Sequence, residues 1–135
     1  MKLKSLALLL MTIAMPAMAE QVSVNTKGMS LVLEVENGKP AQYRYFGTKL
    51  NNSDLQNLKV ATDGRMDAYP AYGLNTPAEA ALAMRHSDGN LSTALVATGS
   101  EVKSEGNTTV TTIHLKDPVY NIKVDLKSRA YNYVD

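Results

Sequence analysis

Two histidines, thirteen acidic side chains and seven tyrosines are the residues of this 135-residue chain best equipped for chemistry. His86 and His114 stand apart. They lack the i, i+4 spacing by which a helix presents two imidazoles to zinc, so each reads as an ordinary surface or strand histidine. The acidic residues could supply a catalytic carboxylate pair, but such a pair is assembled in space and spacing along the chain does not reveal it. There is no cysteine, which excludes disulfides, thiolate metal sites and cysteine nucleophiles. No G-x-S-x-G elbow, P-loop or G-x-G-x-x-G occurs, and nothing calls for a metal or a cofactor. Tyr43/Tyr45 and Tyr131/Tyr133 are i, i+2 pairs, so on strands each pair would share a face. Flat rings exposed in pairs could stack on a sugar ring; equally, Tyr fills a half-buried pleat well. Carbohydrate platforms lean on Trp, and the chain has none.

The composition fits one small domain. Lys plus Arg number 14 and Asp plus Glu 13, for a net charge of +1, without the basic excess of a nucleic-acid binder. Apolar residues make up 44% and charged residues 20%, which argues against a disordered tail, a collagen repeat or a coiled coil. The three glycosylation sequons at Asn51, Asn90 and Asn107 are given no weight, because a chain rich in Asn and Thr produces them by chance.

The first residues have the form of a delivery signal. Lys2 and Lys4 precede an apolar run from Leu6 to Ala14, then Pro16 and Ala17-Met18-Ala19. Basic region, apolar region and A-x-A site follow in the order of a secretory signal peptide. The apolar run is shorter than the 18 or so residues of a spanning helix. A signal peptide over 1–19 is therefore expected, with cleavage before Glu20 and a periplasmic or secreted product that has no membrane attachment. Cleavage removes Lys2 and Lys4, and the net charge falls from +1 to −1.

The rest reads as strands. Ser30 to Glu36 alternates with Leu31, Leu33 and Val35 on one face, a half-buried strand. Asn37-Gly38 follows as a turn dipeptide and Gln42 to Phe46 as a second strand, together a hairpin. Thr108 to Leu115 is rich in β-branched residues and is expected to pair with Val119 to Lys127 across Lys116-Asp117-Pro118. Leu91 to Thr98 is a further expected strand after Asp88-Gly89-Asn90, and Glu105-Gly106-Asn107 marks another turn. These spacings predict an all-β fold, a sandwich or a barrel of antiparallel strands. Single helical turns are expected near residues 53–58 and 77–81. At the second, Thr76-Pro77-Ala78-Glu79 has the form of a capped helix start, and local rules extend it toward His86.

Met66-Asp67-Ala68-Tyr69-Pro70-Ala71-Tyr72-Gly73 resembles a segment of glycoside hydrolase family 36, the α-galactosidases. Tyr45-Phe46-Gly47-Thr48-Lys49-Leu50 resembles that family's Y-F-G-x-x-L. Arg85-His86-Ser87-Asp88-Gly89-Asn90 resembles its Asp-Gly turn, and Leu115-Lys116-Asp117-Pro118-Val119-Tyr120 its L-x-D junction. The pieces fall in the family's order, from about Leu31 to the last residue. One departs: where the family continues Y-P-x-Y-G with G-D-F-R-x-P-A, this chain has Leu74-Asn75-Thr76-Pro77-Ala78. The Asp and Arg of that motif are missing, so their sugar contacts do not carry over.

The resemblance implies an exported retaining α-galactosidase acting on terminal α-galactosyl residues of oligosaccharides, of which residues 20–135 are the N-terminal domain, an antiparallel β-sandwich that is part of a larger supersandwich. Retention needs a nucleophilic Asp and an acid Asp, and in such enzymes both lie in a (β/α)₈ barrel of about 250 residues. No barrel fits here, so no catalytic residue is expected in this chain, which reads as a fragment with a structural and oligomerisation role, inactive alone. Asp67, with Tyr69 beside it, is the candidate to reach a galactoside bound in a neighbouring subunit of a homo-oligomer; a turn residue and a packing Tyr is the alternative. The resemblance also places a strand at Ala80 to His86. A stand-alone periplasmic β-sandwich that binds carbohydrate or a protein partner is the other reading of the whole chain.

Overall fold

Alternating apolar residues shape the first sheet. The computed structural model describes residues 19–58, 66–73 and 79–132. Strands β1 (Glu20–Asn25), β2 (Met29–Val35) and β3 (Gln42–Thr48) form one antiparallel sheet in that order. Val22 and Val24 of β1 oppose Leu33 and Leu31 of β2, which puts all four on one face. Sequence reasoning passed over β1, because the segment directly follows the leader. The expected hairpin joins β2 to β3. The Lys39 amide donates to the Glu36 carbonyl at 3.0 Å, and Gly38 takes a φ of 82° that a side chain would resist. After β3 comes α1 (Asn52–Gln56), a single helical turn that overlaps the one expected near 53–58. Asn51 and Asp54 cap it reciprocally, side chain to backbone, at 2.9 and 3.0 Å.

The second sheet contains β4 (Val96–Glu105), β5 (Thr108–Lys116) and β6 (Lys123–Tyr131), again antiparallel and in sequence order. Ile113 and Leu115 of β5 oppose Leu126 and Val124 of β6. That face packs against the Val22, Val24, Leu33 and Val35 face of the first sheet, and Leu95, Ala97 and Ala130 complete the core. The alternation left sandwich or barrel open, and the result is the antiparallel β-sandwich that the resemblance implied.

Five expectations are corrected here. Leu91 to Leu95 is not strand; β4 starts at Val96 and runs on to Glu105. Val119 to Ile122 is likewise outside β6, because the Asp117 carboxylate draws the Val119 and Tyr120 amides into a turn. Ala80 to His86 forms neither strand nor helix: a lone parallel bridge, Ala71 to Leu82, is what remains of the strand. Of the helical turn near 77–81, residues 79–81 are not helical, and 77 and 78 lie outside the described residues. Tyr43 and Tyr45 do not share a face either. A bulge sets Tyr43 opposite Leu33 and Tyr45 opposite Val32, and consecutive residues of β2 point to opposite sides. Tyr43 packs against the core, while the Tyr45 hydroxyl donates to the Thr48 carbonyl at 2.8 Å. In the other expected pair, Tyr131 ends β6 and Tyr133 lies outside the described residues, as do residues 1–18 of the expected leader over 1–19.

Candidate functional site

The segment carrying Asp67 and Tyr69 is built onto the free edge of β3. The Tyr43 amide donates to the Met66 carbonyl and the Ala68 amide to the Ala41 carbonyl, both at 2.8 Å. Between these bonds Asp67 opposes Gln42 in an antiparallel bridge. The small side chains of Ala68 and Ala71 let the segment lie close, and both are buried in the core. Asp67 itself is half-buried. One carboxylate oxygen accepts from the Gln42 side-chain amide at 3.5 Å, a long bond that leaves acceptor capacity unused. Tyr69 packs its ring against the core and reaches the Ala81 carbonyl with its hydroxyl at 3.5 Å. The two residues are thus ordered neighbours, fixed by different contacts.

Beside Asp67 opens an apolar cleft of about 670 Å³ whose walls include Leu31, Tyr43, Phe46 and Met66. Phe46 is 73% exposed and Met66 56%. At its rim the Arg44 guanidinium grips both carboxylate oxygens of Glu34, at 2.7 and 2.9 Å. That bond holds the Glu34 carboxyl below the usual carboxylate range.

A polar clasp lies along the segment's C-terminal side. Asp117 follows β5 directly and is 2% exposed. One of its oxygens accepts the Val119 and Tyr120 amides and the other the Ala94 amide, each at 2.8 Å. Burial alone would raise its carboxyl; the amides of Tyr120, Ala94 and Val119 outweigh it and hold the group below its ordinary value. The His86 ring stacks on Tyr120 with centroids 3.5 Å apart and planes 5° from parallel. Its Nε2 lies 3.0 Å from the Ser92 carbonyl and 3.1 Å from the Thr93 hydroxyl. The Tyr120 hydroxyl donates to Asp88 at 2.9 Å and accepts from Asn90 at 2.8 Å. The Asn90 amide and the Tyr120 hydroxyl, both donating to Asp88, hold that carboxyl below its usual value. His86 is therefore a buried loop residue, and the expectation of a surface or strand histidine is corrected. His114 is the strand histidine foreseen, paired with Asp125 across β5 and β6 at 2.8 Å.

Residue-by-residue reasoning missed this clasp. The signals were Asp117 before Pro118, a side chain suited to hold the next amides, and the Asp88-Gly89 turn. Both lay in stretches read only as turns between strands. Among the described residues no cluster of His, Cys, Asp or Glu is arranged for a metal. His114 and Asp125 aside, no described histidine touches a carboxylate. The chemistry this arrangement can do is recognition and positioning.

The family model described as the glycosyl hydrolase family 36 N-terminal domain matches residues 39–135. Among solved structures, an α-galactosidase of this family from Geobacillus stearothermophilus, in complex with stachyose, superposes with a TM-score of 0.67 at 17% identity. The same enzyme with raffinose gives 0.66 at 16%, and the α-galactosidase of Lactobacillus brevis 0.65 at 12%. Each alignment covers 84% of this chain and 20% of the other, so the chain spans about a fifth of the length of these enzymes. No curated protein matches it. At these identities the structures establish the fold; the family model, which spans most of the chain, places it among the family 36 glycoside hydrolases, to which it belongs through their N-terminal domain.

Proposed function

We propose that this chain is the N-terminal portion of an exported, retaining α-galactosidase that hydrolyses terminal α-galactosyl residues of oligosaccharides. The match to the family's N-terminal domain over residues 39–135 carries the reading. It is supported by the fold shared with α-galactosidases, among them one crystallised with stachyose and raffinose. The role of this part is structural: it builds a rigid sandwich, contributes to contacts within a homo-oligomer, and carries none of the bond-breaking acids. The apolar cleft around Phe46 and Met66 suits a surface that another part of the assembly covers. Asp67 and Tyr69 are proposed to reach the sugar, since an ordered half-buried carboxylate with unused acceptor capacity suits a galactose hydroxyl. The basic, apolar and small-residue order of residues 1–19 supports export to the periplasm or medium. Among the described residues, no helix is long and apolar enough to cross a membrane.

The test is an assay of the full-length protein on p-nitrophenyl α-galactoside and raffinose, with the first-formed anomer read by NMR. Release of α-galactose is expected. Preference for another glycoside, or first release of the β-anomer, would overturn the specificity or the stereochemistry proposed.

A further inference from the structure

Asp117 and the segment carrying Tyr69 are far apart in sequence yet joined by a short physical route. Asp117 accepts the Ala94 amide at 2.8 Å. One residue earlier, the Thr93 amide donates to the Tyr72 carbonyl at 2.9 Å, and the Thr93 hydroxyl meets His86 Nε2 at 3.1 Å. Gly73 lies so near Ser92 that a β-carbon there would sit 2.5 Å from the Ser92 Cβ, at a φ of 94° that side chains resist. On its other side the segment is held by Leu82 and Ala81. The Tyr72 amide donates to Leu82 at 2.9 Å, and the Ala81 amide to Pro70 at 2.8 Å. No ladder longer than a single bridge supports residues 69–73.

We infer that Asp117 is a positioning residue for Tyr69–Gly73, acting through Ala94, Thr93 and the stacked His86–Tyr120 pair. Its importance for catalysis rests on the reading that Asp67 and Tyr69 meet the sugar. The carboxylate is suited to the task because it binds amides from two separate stretches at once, 94 and 119–120. An amide side chain offers one acceptor oxygen where Asp117 offers two.

The experiment compares the full-length protein with its Asp117→Asn variant in two ways. Amide exchange should rise about tenfold or more at Ala94, Thr93 and Tyr72, while Ile113 within β5 stays unchanged. On p-nitrophenyl α-galactoside, KM should rise about fivefold with kcat kept within about twofold. Uniform exchange throughout the sandwich, or none at Tyr72, overturns the inference. Local exchange with an unchanged KM upholds the positioning of the segment and overturns its contact with sugar. If Asp117→Asn does not fold, Thr93→Val tests the same route, because it removes the hydroxyl facing His86 and keeps the amide on Tyr72. The same local exchange pattern is expected, and its absence counts against the inference.

Discussion

The two sheets and the stretch from Met66 to Leu95 are held by opposite means. In the sheets, ladders run the length of each strand, and the alternation that forms them also builds the core. Among the described residues of the stretch, single bridges and side-chain acceptors replace the ladder. The difference teaches where substitution is tolerated. A ladder spreads its stability over many equivalent bonds, whereas a clasp concentrates it in a few groups whose loss leaves several amides unpaired at once.

The largest effect should come from the core that both regions share. Leu33→Ala is expected to cost about 2–5 kcal/mol, because Leu33 is 1% exposed and its truncation leaves a cavity. Urea unfolding should show it as a lower midpoint with an unchanged slope. Asp117→Ala comes next, at about 3 kcal/mol, since it leaves three amides without an acceptor. Gly73→Ala should cost about 2 kcal/mol, from a strained φ and a clash with Ser92. Adding Ser92→Gly should recover part of that loss; no recovery would mean that the φ alone matters.

The same contrast marks what was legible in the sequence. The alternation of Leu31, Leu33 and Val35, and the run of β-branched residues after Asn107, announced the strands directly, because period two has one structural meaning, while the choice of sandwich over barrel came from the resemblance. The bulge that separates Tyr43 from Tyr45 was not visible, since one extra residue in a ladder leaves no mark on the pattern. Nor was the loss of strand at 80–86 and 91–95. There the competing force is long-range: Asp117 claims the Ala94 amide, and Tyr72 claims that of Thr93. Of the candidate site, Asp67 and Tyr69 were named from the resemblance, and the edge they occupy came only with the fold.

Acid sharpens the contrast further. Asp117 and Glu34 are both held below their ordinary values in the folded chain. Groups so depressed contribute stability that is fully present above the unfolded value and is lost as pH falls through the folded one. Unfolding followed from pH 7 down to about 2 should therefore lose stability below the ordinary carboxylate range of about 4. Asp117→Asn should flatten that loss. The smallest effect is expected at His114 and Asp125, an exposed pair on the outer face of β5 and β6. Asp125→Asn should leave the thermal midpoint unchanged within error.

Bond cleavage is the property that separates this sandwich from the whole enzyme proposed around it. Hydrolysis of p-nitrophenyl α-galactoside should be measured side by side for the full-length protein and for the 135-residue chain alone. Turnover by the full-length protein and none by the shorter chain is the predicted result. Cleavage by the shorter chain unaided would contradict it.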